Sequence, residues 1–331
     1  MLIKRLLYLV VFLAFLLASG CTIYFGKETF HTHESLAQTN HQFSYHFVLI
    51  PEEVDNEYWR LIEEGAREAA TIYNVNLEYL GPKQADSDEL LKTIDVAIAG
   101  KIDGILTQGM KDQEFISLLN KAVGKGIPVV TVDTDTPNSE RTSYIGTDNY
   151  YAGFLAGKAL IADTTGEQKV AIITGRFAAA NQKLRVQGFM DAVEREKRIE
   201  IVDVQESNIT KIGAVKTTHQ LLMKHPEVTA FYGTSALDGI GIAQVVESKN
   251  INNLYILAFD TLPETLKLME KGIIDATVVQ YPKQMGYKAV EALFELKQGK
   301  EREEIKHTDT TVIHKQDLPF TQATFIGGRR P

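Results

Sequence analysis

The sequence predicts an α/β protein made of two blocks, each a parallel sheet with helices on both faces. Two patterns carry that prediction. From His46 onward, short runs rich in β-formers alternate with segments of helical period. Several of these runs are apolar throughout, as in Pro128–Val132 (PVVTV) and Val170–Thr174 (VAIIT), which suits strands covered on both faces. The alternation runs first to about Tyr144–Asn149 and then again to about Gln280. Repeated strand-then-helix order is the pattern of parallel sheets.

Taken in order, the first block opens with a strand at His46–Ile50 (HFVLI) and a helix at Asn56–Tyr73. Val75–Leu80 alternates as a strand, and Ser87–Ala99 returns to helical spacing. Gly104–Thr107 precedes a helix at Asp112–Val123, and Pro128–Val132 is the last strand before the landmark YIGTDN. The second block starts with a helix at Tyr150–Ala162. Strands follow at Val170–Thr174, Ile199–Val204, Ala230–Tyr232, Leu254–Phe259 and Ala276–Val279. Helices at Asn181–Arg195, Ile209–Lys224, Asp238–Glu247, Leu262–Lys271 and Pro282–Gln298 lie between and after them.

The N-terminus carries a different signal. Lys4-Arg5 is a basic stub, and Leu6–Phe25 is an apolar run without a charge. About 20 apolar residues suffice to cross a bilayer as a helix. Basic residues on the leading side keep the stub in the cytoplasm and export the rest of the chain. Residues 1–26 therefore read as a membrane anchor or a lipoprotein signal. Leu17-Ala18-Ser19-Gly20-Cys21 resembles a bacterial lipobox, cut before a lipidated Cys21, although Ala18 stands where Leu is usual. The apolar run continues through Ile23, Tyr24 and Phe25, which favours an uncut helix; a cleaved secretory signal is the third reading. Residues 27–43 have no apolar periodicity and read as a polar linker. Its His31-x-His33 pair could bind a metal weakly, but no structured element gathers a ligand set, so no metal site is expected.

Composition narrows the function classes. The chain has 331 residues, a net charge of −8 with acids and bases interspersed, and one cysteine. It shows no basic face for nucleic acid, and a single cysteine permits no intrachain disulfide. There is no Gly-x-Gly-x-x-Gly after a strand, no Gly-Lys-Ser/Thr and no Gly-x-Ser-x-Gly. Hence no cofactor is expected.

In open α/β sheets, ligands bind beyond the carboxyl ends of the strands. The polar residues there are Glu52, Asp55-Asn56, Asp133-Thr134-Asp135, Ser207-Asn208, Ser235, Asp260 and Gln280. At these residues the chain resembles the type I periplasmic binding proteins of the ribose/galactose-binding family, which share their fold with lac-type repressor ligand domains. The landmarks run from about Tyr45 to Gln316. They are VLIPEEVDNEYWRLIEEG (Val48–Gly65), GIPVVTVD (Gly126–Asp133), IGTDN (Ile145–Asn149), RVQGF (Arg185–Phe189), AFD (Ala258–Asp260) and ATVVQYP (Ala276–Pro282). Each is weak alone; their order and spacing are specific.

The resemblance implies two Rossmann-like lobes joined by a three-segment hinge near Thr147-Asp148, Gln280-Tyr281 and Asp309–Val312. Residues 44–147 with 281–310 would form the N-terminal lobe, and 148–280 with 311–331 the C-terminal lobe. It implies a sugar site built from Asn56, Tyr58, Trp59, Asp133, Thr134, Arg185, Asn208, Ser235, Asp260 and Gln280. The chemistry fits: carboxylates accept from sugar hydroxyls, a guanidinium fork donates to ring and hydroxyl oxygens, and aromatic faces cover the apolar side of a pyranose. The chain departs from the family pattern at three places. Ser235-Ala236 replaces Asn-Asp, Asn208 stands in place of a phenylalanine, and Thr134 in place of an arginine.

The individual residues also have plainer readings. Tyr58 and Trp59 could be core. Asp133 and Asp260 could cap following segments, Arg185 could pair with Glu194, and Gln280 could be structural. Two acids flanking a sugar are also glycosidase chemistry, but both belong to the hydroxyl-binding pattern, so no enzyme is expected. The segment before Tyr45 contains no helix-turn-helix, which excludes a repressor.

The expected function is a sugar receptor on the extracytoplasmic face of the bacterial membrane, taking a pentose or hexose. The partner implied is an ABC permease, or alternatively a membrane histidine kinase.

Overall fold

The computed structural model describes residues 8, 13, 15–20, 22, 43–301 and 303–320. Residues 15–20 are helical, and among the described residues no helix is long and apolar enough to cross a membrane. Most of the expected anchor over 1–26 lies outside the described residues. So do Cys21, the His31-x-His33 pair and nearly all of the linker.

The body of the protein grows from two sheets. The first block supplies strands β1 (Tyr45–Ile50), β2 (Val75–Tyr79), β3 (Gly104–Gln108), β4 (Val129–Val132) and β5 (Ser143–Thr147). Between them lie helices α1 (Glu57–Tyr73), α2 (Ser87–Ala99) and α3 (Gln113–Gly124). The second block supplies β6 (Gln168–Thr174), β7 (Ile199–Glu206), β8 (Ala230–Gly233), β9 (Tyr255–Phe259) and β10 (Ala276–Val279). Its helices are α4 (Asn149–Asp163), α5 (Ala180–Val193), α6 (Lys211–Lys224), α7 (Asp238–Ser248) and α8 (Pro263–Glu270). The chain ends with α9 (Pro282–Lys297), β11 (Ile305–Thr308) and β12 (Thr311–His314).

The first sheet has the order β11-β5-β4-β3-β1-β2 and is parallel throughout. The second has the order β12-β10-β9-β8-β6-β7, parallel except for β12, which pairs antiparallel to β10. This is the two-lobed α/β architecture expected. The chain passes between the sheets after β5, after β10 and after β11. So α9 follows a strand of the second sheet, yet buries Met285, Ala289, Val290 and Leu293 in the core of the first.

The apolar runs are strands because both faces are covered. Phe47 and Leu49 of β1 pack with Trp59, Ile62 and Leu293 on one face. Val48 and Ile50 pack with Leu90, Ile94 and Phe115 on the other. In β6, Ala171 and Ile173 face one core and Val170 and Ile172 the other. Each such fully buried Val, Leu, Ile or Phe side chain contributes about 1.5–3 kcal/mol.

Two helix pairs approach so closely that only glycine fits at the crossing. A Cβ on Gly286 of α9 would stand 1.9 Å from the Ile62 carbonyl oxygen of α1. A Cβ on Gly153 of α4 would stand 2.0 Å from the Arg185 carbonyl oxygen of α5. The second crossing fixes the height of α5, and with it the position of Arg185.

Candidate functional site: a polar cleft between two sheets

The carboxyl ends of the two sheets face one cavity of about 510 Å³, within the usual range for small-molecule sites. Eight of the twelve described strand ends contribute to it. From the first sheet come Asn56, Tyr58 and Trp59 after β1, Gln108 at the end of β3, and Asp133 and Thr134 after β4. From the second come Arg176 after β6, Asn181 and Arg185 on α5, Ile209 after β7, Ser235 after β8, Asp260 after β9 and Gln280 after β10.

The two acids are held in matching ways. Asp133 (φ 65°) and Asp260 (φ 69°) both sit in the left-handed region directly after a strand. The N–H of each donates across to the neighbouring strand, Asp133 to the Ile145 carbonyl at 3.0 Å and Asp260 to the Val278 carbonyl at 2.8 Å. Aspartate tolerates this conformation better than most residues, and such strain gathers at functional sites. Neither acid caps a helix: α8 starts at Pro263 after Leu262, with no side-chain cap.

Arg185 is 2 % exposed. Its Nε donates to Asn149 Oδ1, its Nη1 to the Thr234 carbonyl and its Nη2 to Gln280 Oε1, each at 2.8 Å. The guanidinium lies 3.9 Å from the centre of the Phe259 ring, a cation–π stack. Gln280 passes the link on, because its Nε2 donates to Asp260 Oδ1 at 2.8 Å. Arg185, Gln280 and Asp260 thus form one buried network and not a surface ion pair with Glu194.

Across the cavity, Tyr58 donates its hydroxyl to Asp133 Oδ1 at 2.8 Å, and Thr134 Oγ1 donates to Asp133 Oδ2 at 3.0 Å. Burial dominates the titration of both acids. It raises Asp133 above the usual carboxylate range, against the pull of Arg185, Tyr58 and Thr134. It pushes Asp260 up to about 6, with Arg185 and Gln280 opposing and the Asp133 charge adding. Burial, followed by the Asp133 charge, also raises Tyr58 well above its ordinary value, so it remains a donor.

One polar atom at the cavity wall, Gln108 Oε1, is buried with no hydrogen-bond partner among the described residues. A buried polar atom without a partner costs about 1–3 kcal/mol. A ligand with several hydroxyls would satisfy it.

Nine of the ten residues expected at the site line this cavity. Asn56 does so while also capping α1, its Oδ1 accepting from the Tyr58 and Trp59 amides. Trp59 is both wall and core, at 4 % exposure. Asn208 is the correction. It is exposed and does not line the cavity. Asn208 and Ile209 adopt successive left-handed conformations (φ 57° and 56°), and this turn presents Ile209 to the cleft in place of Asn208. Gln108, Arg176 and Asn181 were not expected from the sequence. Gln108 and Arg176 fall at or within two residues of a strand end, where the strand-end rule could have found them. No signal marked Asn181. Among the described residues no cluster of three or more histidine, cysteine or carboxylate groups could hold a metal.

Comparison with known proteins agrees with this architecture. The family model described as a periplasmic binding protein domain matches residues 47–301. The structure of GanP, a glucose-galactose binding protein from Geobacillus stearothermophilus, is 56 % identical. It covers 83 % of this chain and 99 % of its own, with a TM-score of 0.80. XylFII in the XylFII-LytSN complex is 36 % identical over 83 % of this chain and 99 % of its own, with a TM-score of 0.77. The ribose import binding protein RbsB of Escherichia coli strain K12 is 26 % identical over 271 residues, 81 % of this chain and 90 % of that protein. A family model spanning most of both sheets and a solved relative of 56 % identity lead to one conclusion: the chain belongs to the type I periplasmic binding protein family.

Proposed function

We propose that this protein is an extracytoplasmic sugar receptor, the substrate-binding component of an ABC-type carbohydrate importer. The observation that carries the reading is the facing pair of buried acids, Asp133 from the first sheet and Asp260 from the second, with Arg185 beside them. Vicinal hydroxyls donate to both carboxylates and accept from the guanidinium, and Tyr58 and Trp59 supply apolar area. The ligand class is a pentose or hexose. A relative of 56 % identity named for glucose and galactose puts those two hexoses first.

In this reading residues 44–147 with 281–310 form one lobe and 148–280 with 311–331 the other. They rotate about the three crossovers, and sugar favours the closed form because only that form makes both sets of contacts. Residues 1–26 hold the receptor at the membrane, either as an uncut helix or through lipid on Cys21. The family supports the extracytoplasmic location.

A second reading, sugar sensing through a membrane histidine kinase, is favoured by the 36 % identical relative seen in complex with LytSN. Titration calorimetry of the full-length chain against a panel of aldoses tests the binding claim. Sugar-dependent crosslinking in cells to a permease, or instead to a kinase, separates the two partners. Intact mass separates the anchors: loss of residues 1–20 with added acyl mass marks the lipoprotein.

A further inference from the structure

Among the described residues, two hydrogen-bonded side-chain pairs join the lobes at the edge of the cavity. Glu52 follows β1 and Arg176 follows β6; Arg176 Nη1 donates to Glu52 Oε1 at 2.7 Å. Asn181, in the first turn of α5, donates from Nδ2 to Thr134 Oγ1 at 3.1 Å, and both residues are buried. The amide of Asn181 is oriented by its Oδ1, which accepts from the Gln182 N–H at 2.8 Å. Each contact pairs one residue from the first lobe with one from the second, so each is lost when the lobes part.

We infer that Glu52–Arg176 and Thr134–Asn181 form a clasp, built of protein atoms alone, that draws the lobes together and sets the resting balance between open and closed cleft. The second pair also reaches the site. The same Thr134 hydroxyl that accepts from Asn181 donates to Asp133 Oδ2 at 3.0 Å. Closure therefore fixes a hydroxyl that orients one of the two acids. Regulation of affinity through this clasp rests on the sugar-receptor reading; the lobe balance does not.

The two pairs differ in kind. The side chains of Arg176 and Glu52 are 40 % and 28 % exposed, so their attraction is screened, and it shifts the balance about two- to fivefold. The buried amide–hydroxyl bond contributes about three- to tenfold. Because a ligand that needs the closed form binds in proportion to how often that form is present, weakening the clasp lowers affinity for every sugar by one common factor.

The test measures lobe separation in the full-length, ligand-free protein. Spin labels go at Asp88→Cys on α2 and Ile212→Cys on α6 in a Cys21→Ser background. Both positions are exposed, near Ser87 and Ile209, which line the cavity from opposite lobes. The short-distance population should fall about two- to fivefold in Glu52→Gln, further in Glu52→Lys, and similarly in the wild type at about 1 M salt. It should return in Glu52→Lys/Arg176→Glu. A distribution unmoved by Glu52→Lys, or a double variant no better than the single, overturns the inference whether or not any sugar binds. With a bound aldose, Asn181→Ala should speed dissociation about three- to tenfold without changing the order of preference among sugars. A changed order would make Asn181 a sugar contact and remove it from the clasp.

Discussion

Asp260→Asn should make the ligand-free protein more stable and the receptor weaker. Asp260 is 6 % exposed, and burial holds its carboxyl near 6, against 3.8 for the free group. Between about pH 4 and pH 6 the unfolded chain has lost this proton and the folded protein keeps it. Stability contributed by this group therefore falls as pH rises through that window and stays low above it. At pH 7 the ionised group costs the folded protein about 3 kcal/mol. Asparagine has nearly the same shape, can still accept from Gln280 Nε2, and carries no charge to desolvate. The variant should melt roughly 5 °C higher than wild type at pH 7, and the gain should be mostly gone near pH 3, where Asp260 is largely protonated in both states. Replacing a charged acceptor with a neutral one should at the same time cost about 1.5–3 kcal/mol of sugar binding, roughly tenfold to over a hundredfold in Kd. Scanning calorimetry at the two pH values and titration calorimetry at pH 7 read both effects. A variant less stable than wild type at pH 7, or a gain that persists undiminished near pH 3, would show that desolvation does not govern this carboxyl.

Other outcomes rest on the same geometry. Arg185→Met should abolish measurable sugar binding and also lower the melting temperature, because it strips partners from Asn149, Thr234 and Gln280 inside a buried network. A melting temperature equal to wild type would contradict the network. Gly153→Ala should destabilise by about 1–3 kcal/mol through overpacking and weaken binding by displacing α5, as thermal melts and calorimetry would show. Asn208→Ala should leave affinity unchanged, whereas Ile209→Asp should reduce it, since Ile209 is the residue that lines the cleft. Sugar affinity of the wild type should fall as pH drops below about 6, because protonated Asp260 no longer presents a charged acceptor.

Much of the fold is legible in the sequence because burial on both sheet faces writes continuous apolar runs. Val129–Val132 and Ala276–Val279 are buried at every position. What escapes that signal is polar or short. Ser143–Thr147 (SYIGT) is fully buried as β5, yet its sequence reads as a landmark loop. Ile305–Thr308 (IKHT) and Thr311–His314 (TVIH) are edge strands with only one buried residue each, too weakly patterned to announce themselves. At the site, Asp133, Ser235, Asp260 and Gln280 were findable because each lies just beyond a strand. Asn208 was misplaced because two successive left-handed residues shift which side chain faces inward, a backbone event that residue types alone do not encode. The cross-lobe pairs Glu52–Arg176 and Thr134–Asn181 join positions far apart in sequence, and only the assembled sheets bring them together.

Everything proposed for this protein depends on the two acids and Arg185 forming a sugar site between the lobes. Titration calorimetry of the full-length chain with glucose, galactose, xylose, arabinose and ribose, repeated on Asp260→Asn, probes that site without intermediaries. At least one aldose should bind saturably, one per chain, in the micromolar range or tighter, and at least tenfold more weakly in the variant. No heat with any of the five, or an affinity unchanged in Asp260→Asn, would mean that these residues do not form a sugar site.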